Sequence, residues 1–545
     1  MEIDKRNRKK METGPNNPTE DATTWSFLTS TSTKSWFLCI SLFAVLIRLA
    51  VAIHPYSGAA TPPMFGDYEA QRHWMEITVN LPVKEWYRNT TANDLRYWGL
   101  DYPPLTAYQS YFHGILLKLF DPASVSLFTS RGYESYLGKL LMRWTVLMSD
   151  LMIFFPAVLY FLTVHYSGKP NGEKNSMAWH SAMILLNPCL ILIDHGHFQY
   201  NCISLGLTTA AVAAILSDRD IGGSLLFSLA LNHKQTCTLY DYYAAMGGRF
   251  FNALLFRVAT VMSAYYAPAF FGYLLGKCLK LQNPILEILK LGLTVLGTFA
   301  VLWWPYLYSV DASLEVLSRL APFERGLYED YVANFWCTTS VVLKWKRLFT
   351  TQSLKLLCLA ATISTCLPSM IQLVRFPSKR GFLHGLLNCS FSFYLFSFQV
   401  HEKSILLPLL PASLLAFEEP FMFWWLIYHA LLSMFPLLRR EKLVLPYAVL
   451  YGLFGLLYYT TSGRKDTTEI YSFYSTLKSF AFACSIFLHM IYMTIAPPEK
   501  YPFLFEAVIM LFCFSQFLLV FIYSNTKQWA LSKTSIQEDA EKKRL

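Results

Sequence analysis

The sequence predicts an all-α polytopic membrane protein, from its composition and the length of its apolar segments. Of 545 residues, 54% are hydrophobic and only 15% are charged, which leaves too few charges to cover the surface of a soluble protein. Apolar segments of about 17 to 25 residues can cross the hydrocarbon as helices, and short polar connectors separate many of them here. The clearest cover residues 36–53, 140–164, 178–193, 285–308, 353–374 and 503–523. Shorter candidates bring the expected number to roughly twelve to fourteen.

Basic residues predict the orientation of these helices. Residues 1–35 are a polar, basic tail, and no small-residue cleavage site follows the first span, so that span is predicted to be an anchor and not a removed signal. Basic residues prefer the cytosolic ends of spans, which places the N-terminus in the cytosol. An even number of helices puts most other basic clusters there too, namely Lys169 with Lys174, Arg375 with Lys379 and Arg380, and Arg464 with Lys465. The cluster Arg439, Arg440 and Lys442 does not fit.

The C-terminal tail, 524–545, supports the same topology. It ends in Lys542-Lys543-Arg544-Leu545, which resembles the dilysine signal for retrieval to the endoplasmic reticulum; a merely charged tail is the alternative. We therefore expect two cytosolic tails around a polytopic region, 36–523, whose far side is the reticulum lumen. Its first lumenal loop, 55–136, is far longer than a connector needs, so it is predicted to be functional and to contain interfacial helices.

Charge, cysteines and glycosylation motifs add smaller constraints. The net charge of +10 is explained by the cytosolic clusters lying against anionic lipid, so no nucleic-acid partner is expected. The 11 cysteines have no CxxC pair, which predicts packing residues and not a disulfide framework. Asn89-Thr90-Thr91 is a glycosylation acceptor in the predicted lumenal loop, whereas Asn388-Cys389-Ser390 lies in an apolar run and is expected to be inaccessible.

The first polar cluster begins at Gly66 and places Asp67 about a dozen residues after the first span. A carboxylate held beside the membrane suits chemistry on a membrane-borne substrate. The alternative is that Asp67 only caps a helix over 67–80, with Glu69–His73 and Arg72–Glu76 pairs. That helix is expected to lie along the interface, with lipid-facing residues Trp74 and Met75 or Ile77. Asp101 and Arg131 are further candidates in the same loop.

The second cluster runs from Ile193 to Asn201, includes Asp194, His195, His197, Gln199 and Asn201, and interrupts a pair of spans. The histidines are two apart, so on a helix they face different ways, and a helical metal pair needs a spacing of four. A loop could still bring Asp194 and His197 together around a cation. The alternatives are polar groups that satisfy one another by hydrogen bonds, or groups that bind sugar hydroxyls.

Two more clusters lie on the same predicted side. One is His401-Glu402-Lys403 at the end of a span, and the other is the loop 321–330, which contains Arg325. Ionisable groups this near the hydrocarbon are costly unless they are paired or used, so a structural salt bridge is the alternative to a functional role. Together the four clusters predict a lumenal cavity lined with acid, imidazole and base, suited to a phosphate-bearing lipid carrier.

At these residues the chain resembles the polytopic glucosyltransferases of the endoplasmic reticulum that use dolichyl phosphate glucose to extend the oligosaccharide precursor of N-glycosylation. The matching strings are GDYEAQRHWMEIT from Gly66, WGLDYPPLTAY from Trp98, IDHGHFQYN from Ile193, LAPFERGLYEDYVANFWC from Leu320 and FSFQVHEK from Phe396. The first string and Gly196 look like the member that adds the first glucose. The resemblance implies the GT-C fold, with interfacial helices in the first lumenal loop.

The resemblance also implies a reaction and a set of site residues. Glucose passes from the β-linked dolichyl phosphate donor to the nine-mannose, dolichyl-diphosphate-linked acceptor, with inversion and an α-1,3 bond, so one general base suffices. By resemblance that base is Asp67. His401, Lys403, Arg131 and Arg325 are expected to bind the donor phosphate, and neither a metal nor another cofactor is required. Asp101, Asp194, His195 and His197 complete the expected substrate-binding set.

One departure from the family is notable. In the family, the pair matching Lys234-Gln235 runs almost directly into the segment matching 262–268, whereas here residues 236–261 intervene. The insertion is either tolerated at a helix turn or a splice or gene-model error. Three functional alternatives remain: the sibling enzyme that adds the second glucose, a lipid-linked sugar transporter or flippase, and a non-catalytic scaffold. A transporter predicts inverted repeats, and the sequence shows none.

Overall fold

A computed structural model describes residues 33–170, 176–234, 262–320, 331–462 and 471–542. The predicted all-α fold is confirmed. In chain order the helices are α1 (Thr33–Ala52), α2 (Gly66–Asn80), α3 (Pro104–Phe120), α4 (Tyr136–Ser149), α5 (Phe155–His165), α6 (Met177–Leu185), α7 (Pro188–Ile191), α8 (Asn201–Leu216), α9 (Asp220–Leu231), α10 (Ala267–Cys278), α11 (Pro284–Trp303), α12 (Val310–Arg319), α13 (Phe335–Thr339), α14 (Trp345–Leu348), α15 (Thr351–Arg375), α16 (Lys379–Phe396), α17 (Leu406–Leu414), α18 (Pro420–Arg440), α19 (Val444–Ser462), α20 (Tyr471–Thr494) and α21 (Leu504–Lys542). Two π-helical turns, Asp150–Phe154 and Leu192–Phe198, join α4 to α5 and extend α7.

Seven of the described helical segments are long and apolar enough to cross a membrane, and the protein is a multi-pass membrane protein. Six of them correspond to the six spans predicted most clearly, and the seventh is α18. Shorter apolar helices include α8, α9 and parts of α19 and α20. The total of roughly twelve to fourteen crossings stays a prediction.

The helices differ in where they stand in the bundle. In the segment Met177–Phe198, 94% of the apolar window is buried inside the protein, and in α18 the figure is 89%. In Pro284–Tyr306 it is 11%. A span that is apolar on all sides and buried belongs to the centre, whereas an apolar but uncovered one faces lipid. The polar cluster that contains Asp194, His195 and His197 is therefore carried by a central segment.

Ion pairs at the helix ends define two faces of the bundle. We call the end that contains Asp67 the Asp67 face. At the opposite face Lys169 lies 3.8 Å from Glu418, and Lys379 lies 3.1 Å from Asp218. Lys169 and Lys379 therefore share one face, as the charge distribution predicts, away from Asp67.

Arg439 and Arg440 end α18 at the Asp67 face, which explains why they did not fit the predicted topology. Glu441 follows them and contacts His197, which in turn contacts Asp67. The Arg439 guanidinium lies 4.6 Å from the centre of the Tyr492 ring and donates to the Tyr492 carbonyl oxygen. This cation is thus used in protein contacts, and protein contacts override the charge rule for helix ends.

Helix α2 is buried in the protein and is not an interfacial helix with a lipid-facing side. Trp74 is 3% exposed, and Met75 and Ile77 are fully buried. The expectation that they face lipid was wrong, because α3 packs along α2 and covers its apolar side. Gly114 of α3 permits this approach: a Cβ added there would lie 2.5 Å from a methyl carbon of Val79.

The charged side of α2 forms a buried network. Arg72 pairs with Glu76 at 2.8 Å, which confirms one predicted pair, and with Glu69 at 2.6 Å. The predicted Glu69–His73 pair was wrong, because His73 contacts Glu76 at 3.0 Å instead and the arginine fork reaches both carboxylates. Burial raises the pKa of Glu76, but His73 and Arg72 outweigh it and lower that pKa to about 2.

Two smaller predictions concern modification. Asn388 is fully buried and donates to Gln528 at 2.7 Å, so its inaccessibility is confirmed. Asn89 is exposed in the first loop. Among the described residues all cysteines are free, in agreement with their prediction as packing residues.

Candidate functional site

Asp67 lies in the first turn of α2, and a tight loop positions it. Gly58 and Gly66 have positive φ angles of 76° and 68°, and a Cβ added to Gly58 would lie 2.0 Å from the Phe65 backbone. Only glycine allows this approach and this backbone conformation. No side chain caps α2 at Phe65. Capping is therefore not what the Asp67 carboxylate does.

The Asp67 carboxylate receives three contacts, all on Oδ2. His197 Nε2 lies 2.9 Å away and Lys403 Nζ lies 2.8 Å away, while the Gln199 amide also donates to this oxygen. In the part of the chain that the structure describes, no hydrogen bond involves Oδ1, and 28% of the side chain is exposed. The carboxylate is thus held by one oxygen and accessible at the other.

The contacts with Lys403 and His197 also control the charge of the Asp67 carboxylate. Burial alone raises the pKa of Asp67, but the Lys403 ammonium and the His197 hydrogen bond outweigh it and hold that pKa well below its usual range. Asp67 in turn raises the pKa of Lys403, against the effect of burial. At neutral pH the site therefore contains an ionised carboxylate beside an ammonium.

A second layer of side chains supports these contacts. Glu441 lies 2.6 Å from Nδ1 of His197, so the imidazole bridges two carboxylates. Lys234 donates to Gln199 and, at 2.6 Å, to Asn201. Sequence reasoning did not name Glu441 or Lys234 as site residues, and it placed Gln199 in the second polar cluster without a role of its own. The cluster around 439–442 that did not fit the predicted topology was the one signal that pointed to Glu441.

Strained backbone flanks every segment that contributes to the site. Phe65, Phe198, Gln399 and Lys442 have φ angles of 56°, 92°, 58° and 61°. Non-glycine residues rarely adopt positive φ, which costs of order 1–3 kcal/mol each and concentrates at functional sites. These four residues stand within four positions of Asp67, His197, Lys403 and Glu441, respectively.

Asp194 and His195 have partners of their own, away from Asp67. Asp194 accepts from the Asn201 amide at 2.6 Å and from the Cys202 backbone N–H at 2.8 Å, at the start of α8. His195 lies 2.6 Å from Asp150, which also pairs with Arg48 at 2.7 Å. These contacts fit the hydrogen-bonding alternative for this cluster, and a role in substrate binding for Asp194 and His195 stays a prediction.

Asp194 and His197 are not arranged as ligands of a shared metal ion. The oxygens of Asp194 and the nitrogens of His197 point to different partners. Among the described residues, no group of three or more His, Cys, Asp or Glu side chains could hold a metal ion.

The remaining predicted residues are His401, Arg131, Asp101 and Arg325. His401 begins the short turn Glu402–Ile405 that carries Lys403. Arg131 is exposed and stacks 4.6 Å over the Tyr97 ring, and Asp101 is half-buried between Leu100 and Tyr102. Neither Arg131 nor Asp101 is among the contacts of the Asp67 carboxylate. Arg325 and the insertion 236–261 lie outside the described residues.

Asp67 and Lys403 together can accept a proton and stabilise a negative charge. An ionised carboxylate with one accessible oxygen can accept a proton from an incoming hydroxyl group. The adjacent ammonium can balance negative charge that develops on a leaving group. A site of this kind, at the end of a membrane-spanning bundle, suits transfer from an anionic lipid carrier.

Comparison with known proteins agrees with this chemistry. The profile described as "ALG6, ALG8 glycosyltransferase family" matches residues 44–255 and 238–523. The two matched stretches overlap inside the insertion 236–261, where the chain departs from the family pattern.

Three relatives are similar over nearly their full length. The "Probable dolichyl pyrophosphate Man9GlcNAc2 alpha-1,3-glucosyltransferase" of Arabidopsis thaliana is 59% identical over 96% of this chain and 95% of its own. The "Dolichyl pyrophosphate Man9GlcNAc2 alpha-1,3-glucosyltransferase" of Gallus gallus is 40% identical over 92% of this chain and 96% of its own. The "Probable dolichyl pyrophosphate Man9GlcNAc2 alpha-1,3-glucosyltransferase" of Schizosaccharomyces pombe is 37% identical over 90% of this chain and 91% of its own. The chain belongs to the ALG6, ALG8 glycosyltransferase family.

Proposed function

We propose that this protein transfers the first glucose from dolichyl phosphate glucose to the nine-mannose, dolichyl-diphosphate-linked oligosaccharide, forming an α-1,3 bond with inversion. The observation that supports this most is the Asp67 carboxylate, ionised beside Lys403 and accessible at Oδ1. The relatives named for Man9GlcNAc2 favour the first-glucose reaction over the second-glucose one.

In the proposed mechanism Asp67 is the general base. The acceptor hydroxyl group donates to Oδ1, and the carboxylate takes its proton as the oxygen attacks the anomeric carbon of glucose. Attack comes from the face opposite the phosphate, which accounts for inversion. The lipid phosphate is a good leaving group and departs without a general acid.

Lys403 connects proton acceptance by Asp67 with the departure of the lipid phosphate. Its ammonium is bound to Asp67, which keeps the carboxylate ionised but weakens it as a base. As negative charge grows on the departing phosphate, the ammonium turns toward the phosphate, and the basicity of Asp67 rises when it is needed. His401, Arg131 and Arg325 are proposed to contact the same phosphate. Asp101, Asp194, His195 and His197 are proposed to bind or orient the sugars.

We also propose that the Asp67 face is lumenal in the endoplasmic reticulum membrane and that both chain termini are cytosolic. Lys527, in the C-terminal half of α21, pairs with Glu419 at the face opposite Asp67. The C-terminal end of α1 lies at the Asp67 face, where Lys139 donates to the Ile53 carbonyl oxygen at 3.0 Å. A helix of 20 residues is about 30 Å long, so α1 begins at the opposite face.

The test is glucose transfer with purified full-length protein, synthetic dolichyl phosphate glucose and defined lipid-linked acceptors. We expect product from the nine-mannose acceptor, none when that acceptor already carries one glucose, and unchanged turnover in chelator. Product only from the singly glucosylated acceptor would identify the sibling reaction. Glycolipid movement across vesicles without transfer would support a flippase, and turnover restored only by one cation would revive a metal role.

A further inference from the structure

A groove between α1 and α4 lies behind the site, on the outer surface of the bundle. Its volume is about 450 Å³. Its rim is apolar and uncovered by protein: Ile53 is 77% exposed, Tyr136 85%, and Leu140 and Trp144 43% each. In a membrane-spanning protein such a surface faces the hydrocarbon. The groove therefore opens toward lipid and not toward the solvent-filled site.

Cations line the inner wall of this groove. Arg143 is only 5% exposed, and its Nη2 donates to the carbonyl oxygens of Gly196 at 2.9 Å and Pro55 at 3.3 Å. Its guanidinium lies 5.4 Å from the centre of the Phe198 ring, and its buried Nε and Nη1 have no hydrogen-bond partner in the described structure. Lys139 and Arg48 also line the groove. Arg48 is paired with Asp150, but no described carboxylate pairs with Lys139 or Arg143. Two positive charges without a described carboxylate partner thus line an apolar groove, and buried unpaired donors such as those of Arg143 are costly.

We propose that this groove binds an anionic glycerophospholipid of the surrounding bilayer. Its phosphate accepts from Lys139 and from the Arg143 guanidinium, whose buried Nε and Nη1 turn toward the groove to reach it, and one acyl chain lies along Leu140 and Trp144. An anionic headgroup matches the uncompensated charge, whereas a zwitterionic one does not.

The geometry argues against a substrate in this place. Arg143 reaches the backbone of Gly196, and the next residue, His197, covers Oδ2 of Asp67. The donor phosphate is bonded to the glucose that meets the accessible Oδ1, so it belongs on the other side of the carboxylate. The acceptor diphosphate is separated from its reacting mannose by most of the glycan.

A bound lipid at this position supports the site indirectly. Arg143 holds the carbonyl oxygen of Gly196, and Gly196 itself is tightly packed, since an added Cβ would lie 3.1 Å from Leu443. Fixing Arg143 therefore fixes the turn that presents His197 to Asp67. Lipid binding is independent of the proposed reaction, because it needs only the groove.

The test measures lipid retention by the full-length protein. Purified protein in detergent micelles is supplied with either phosphatidylinositol or phosphatidylcholine, and the lipid that stays bound is counted by native mass spectrometry. We expect one retained phosphatidylinositol per chain and about tenfold weaker retention in Arg143→Gln, because charge-assisted hydrogen bonds are lost. Leu140→Trp fills the groove from its exposed rim and should weaken retention without removing a charge. Lys379→Gln removes a cation at the opposite face and serves as the control.

Three outcomes would overturn the proposal. They are equal retention of phosphatidylcholine, retention unchanged in both groove variants, and displacement of phosphatidylinositol by dolichyl diphosphate at equal concentration. The last would assign the groove to a substrate instead. A folding defect in Arg143→Gln leaves Leu140→Trp to decide the question.

Discussion

Two carboxylates in this protein have nearly the same partners and different surroundings. Asp150 contacts His195 at 2.6 Å and Arg48 at 2.7 Å, and Asp67 contacts His197 at 2.9 Å. Lys403 completes the second set at 2.8 Å. Each set is an acid, an imidazole and a cation, and the two imidazoles are two residues apart in one turn.

The two sets differ in how much of their side chains is exposed. The Asp150 side chain is 1% exposed and its cation is fully buried, whereas Asp67 is 28% and Lys403 21% exposed. Burial favours a structural role for the Asp150 set, because its contacts with Arg48 and His195 hold helices together. The set at Asp67 keeps one oxygen accessible at the end of the bundle. Local chemistry alone does not separate a structural triad from a reactive one.

The largest expected effect comes from removing the accessible carboxylate. Asp67→Asn keeps the shape of the side chain but cannot accept a proton, so kcat should fall by about 10²- to 10⁴-fold with the unfolding temperature nearly unchanged. Turnover per folded molecule and thermal unfolding in detergent are measured together. Normal turnover would remove Asp67 as the base.

The buried set should respond in the opposite way. Arg48→Met leaves Asp150 charged and unpaired, and we expect a loss of about 3–5 kcal/mol of stability. The double variant Arg48→Met with Asp150→Leu should recover much of that loss, and turnover per folded molecule should stay near normal. A variant as stable as the parent but inactive would place Arg48 in the reaction.

Glu441 tests whether the second layer matters. Glu441→Gln weakens the hydrogen bond to Nδ1 of His197, a charge-assisted contact, and kcat should fall by about tenfold. KM for both substrates should change little, because Glu441 acts through His197. Glu418→Gln is the matched control, since Glu418 contacts His165 at the opposite face. An equal fall in the control would attribute the effect to stability.

Lys403 should determine how kcat/KM depends on pH at the acid end. The pKa of Asp67 lies well below its usual range, so the acid limb of kcat/KM, where the carboxylate becomes protonated, should lie in the parent below the pH range in which an ordinary aspartate titrates. In Lys403→Met the pKa of Asp67 rises and this limb moves to higher pH. An unmoved limb, measured with Lys403→Arg as the control, would show that Lys403 does not govern Asp67.

The smallest effect concerns the insertion. Lys234 reaches the site through Gln199, but the proposed base and its contacts lie outside 236–261. Deleting these 26 residues should therefore preserve or raise glucose transfer and leave the C-terminus cytosolic, as protease protection would report. A correctly inserted deletion that has lost activity, beside an active parent, would show that the segment contributes to the site.

The sequence by itself determined the all-α membrane fold, six long spans and the place of Asp67. Hydropathy and segment length are local properties, and the bilayer permits few solutions to them. The string around Asp67 also determined the family, because its residues are consecutive. Burial of Trp74 behind α3 could not be predicted in this way, since it depends on which helix covers α2.

Only the tertiary structure decided which polar residues share the site. Glu441 lies 244 positions from His197 and Lys403 lies 336 positions from Asp67, and no periodicity encodes contacts at such separations. His195 and His197 are equal candidates in the sequence. The turn between them directs one imidazole into the bundle and the other toward the accessible carboxylate, because side chains two residues apart in a helical turn point in different directions.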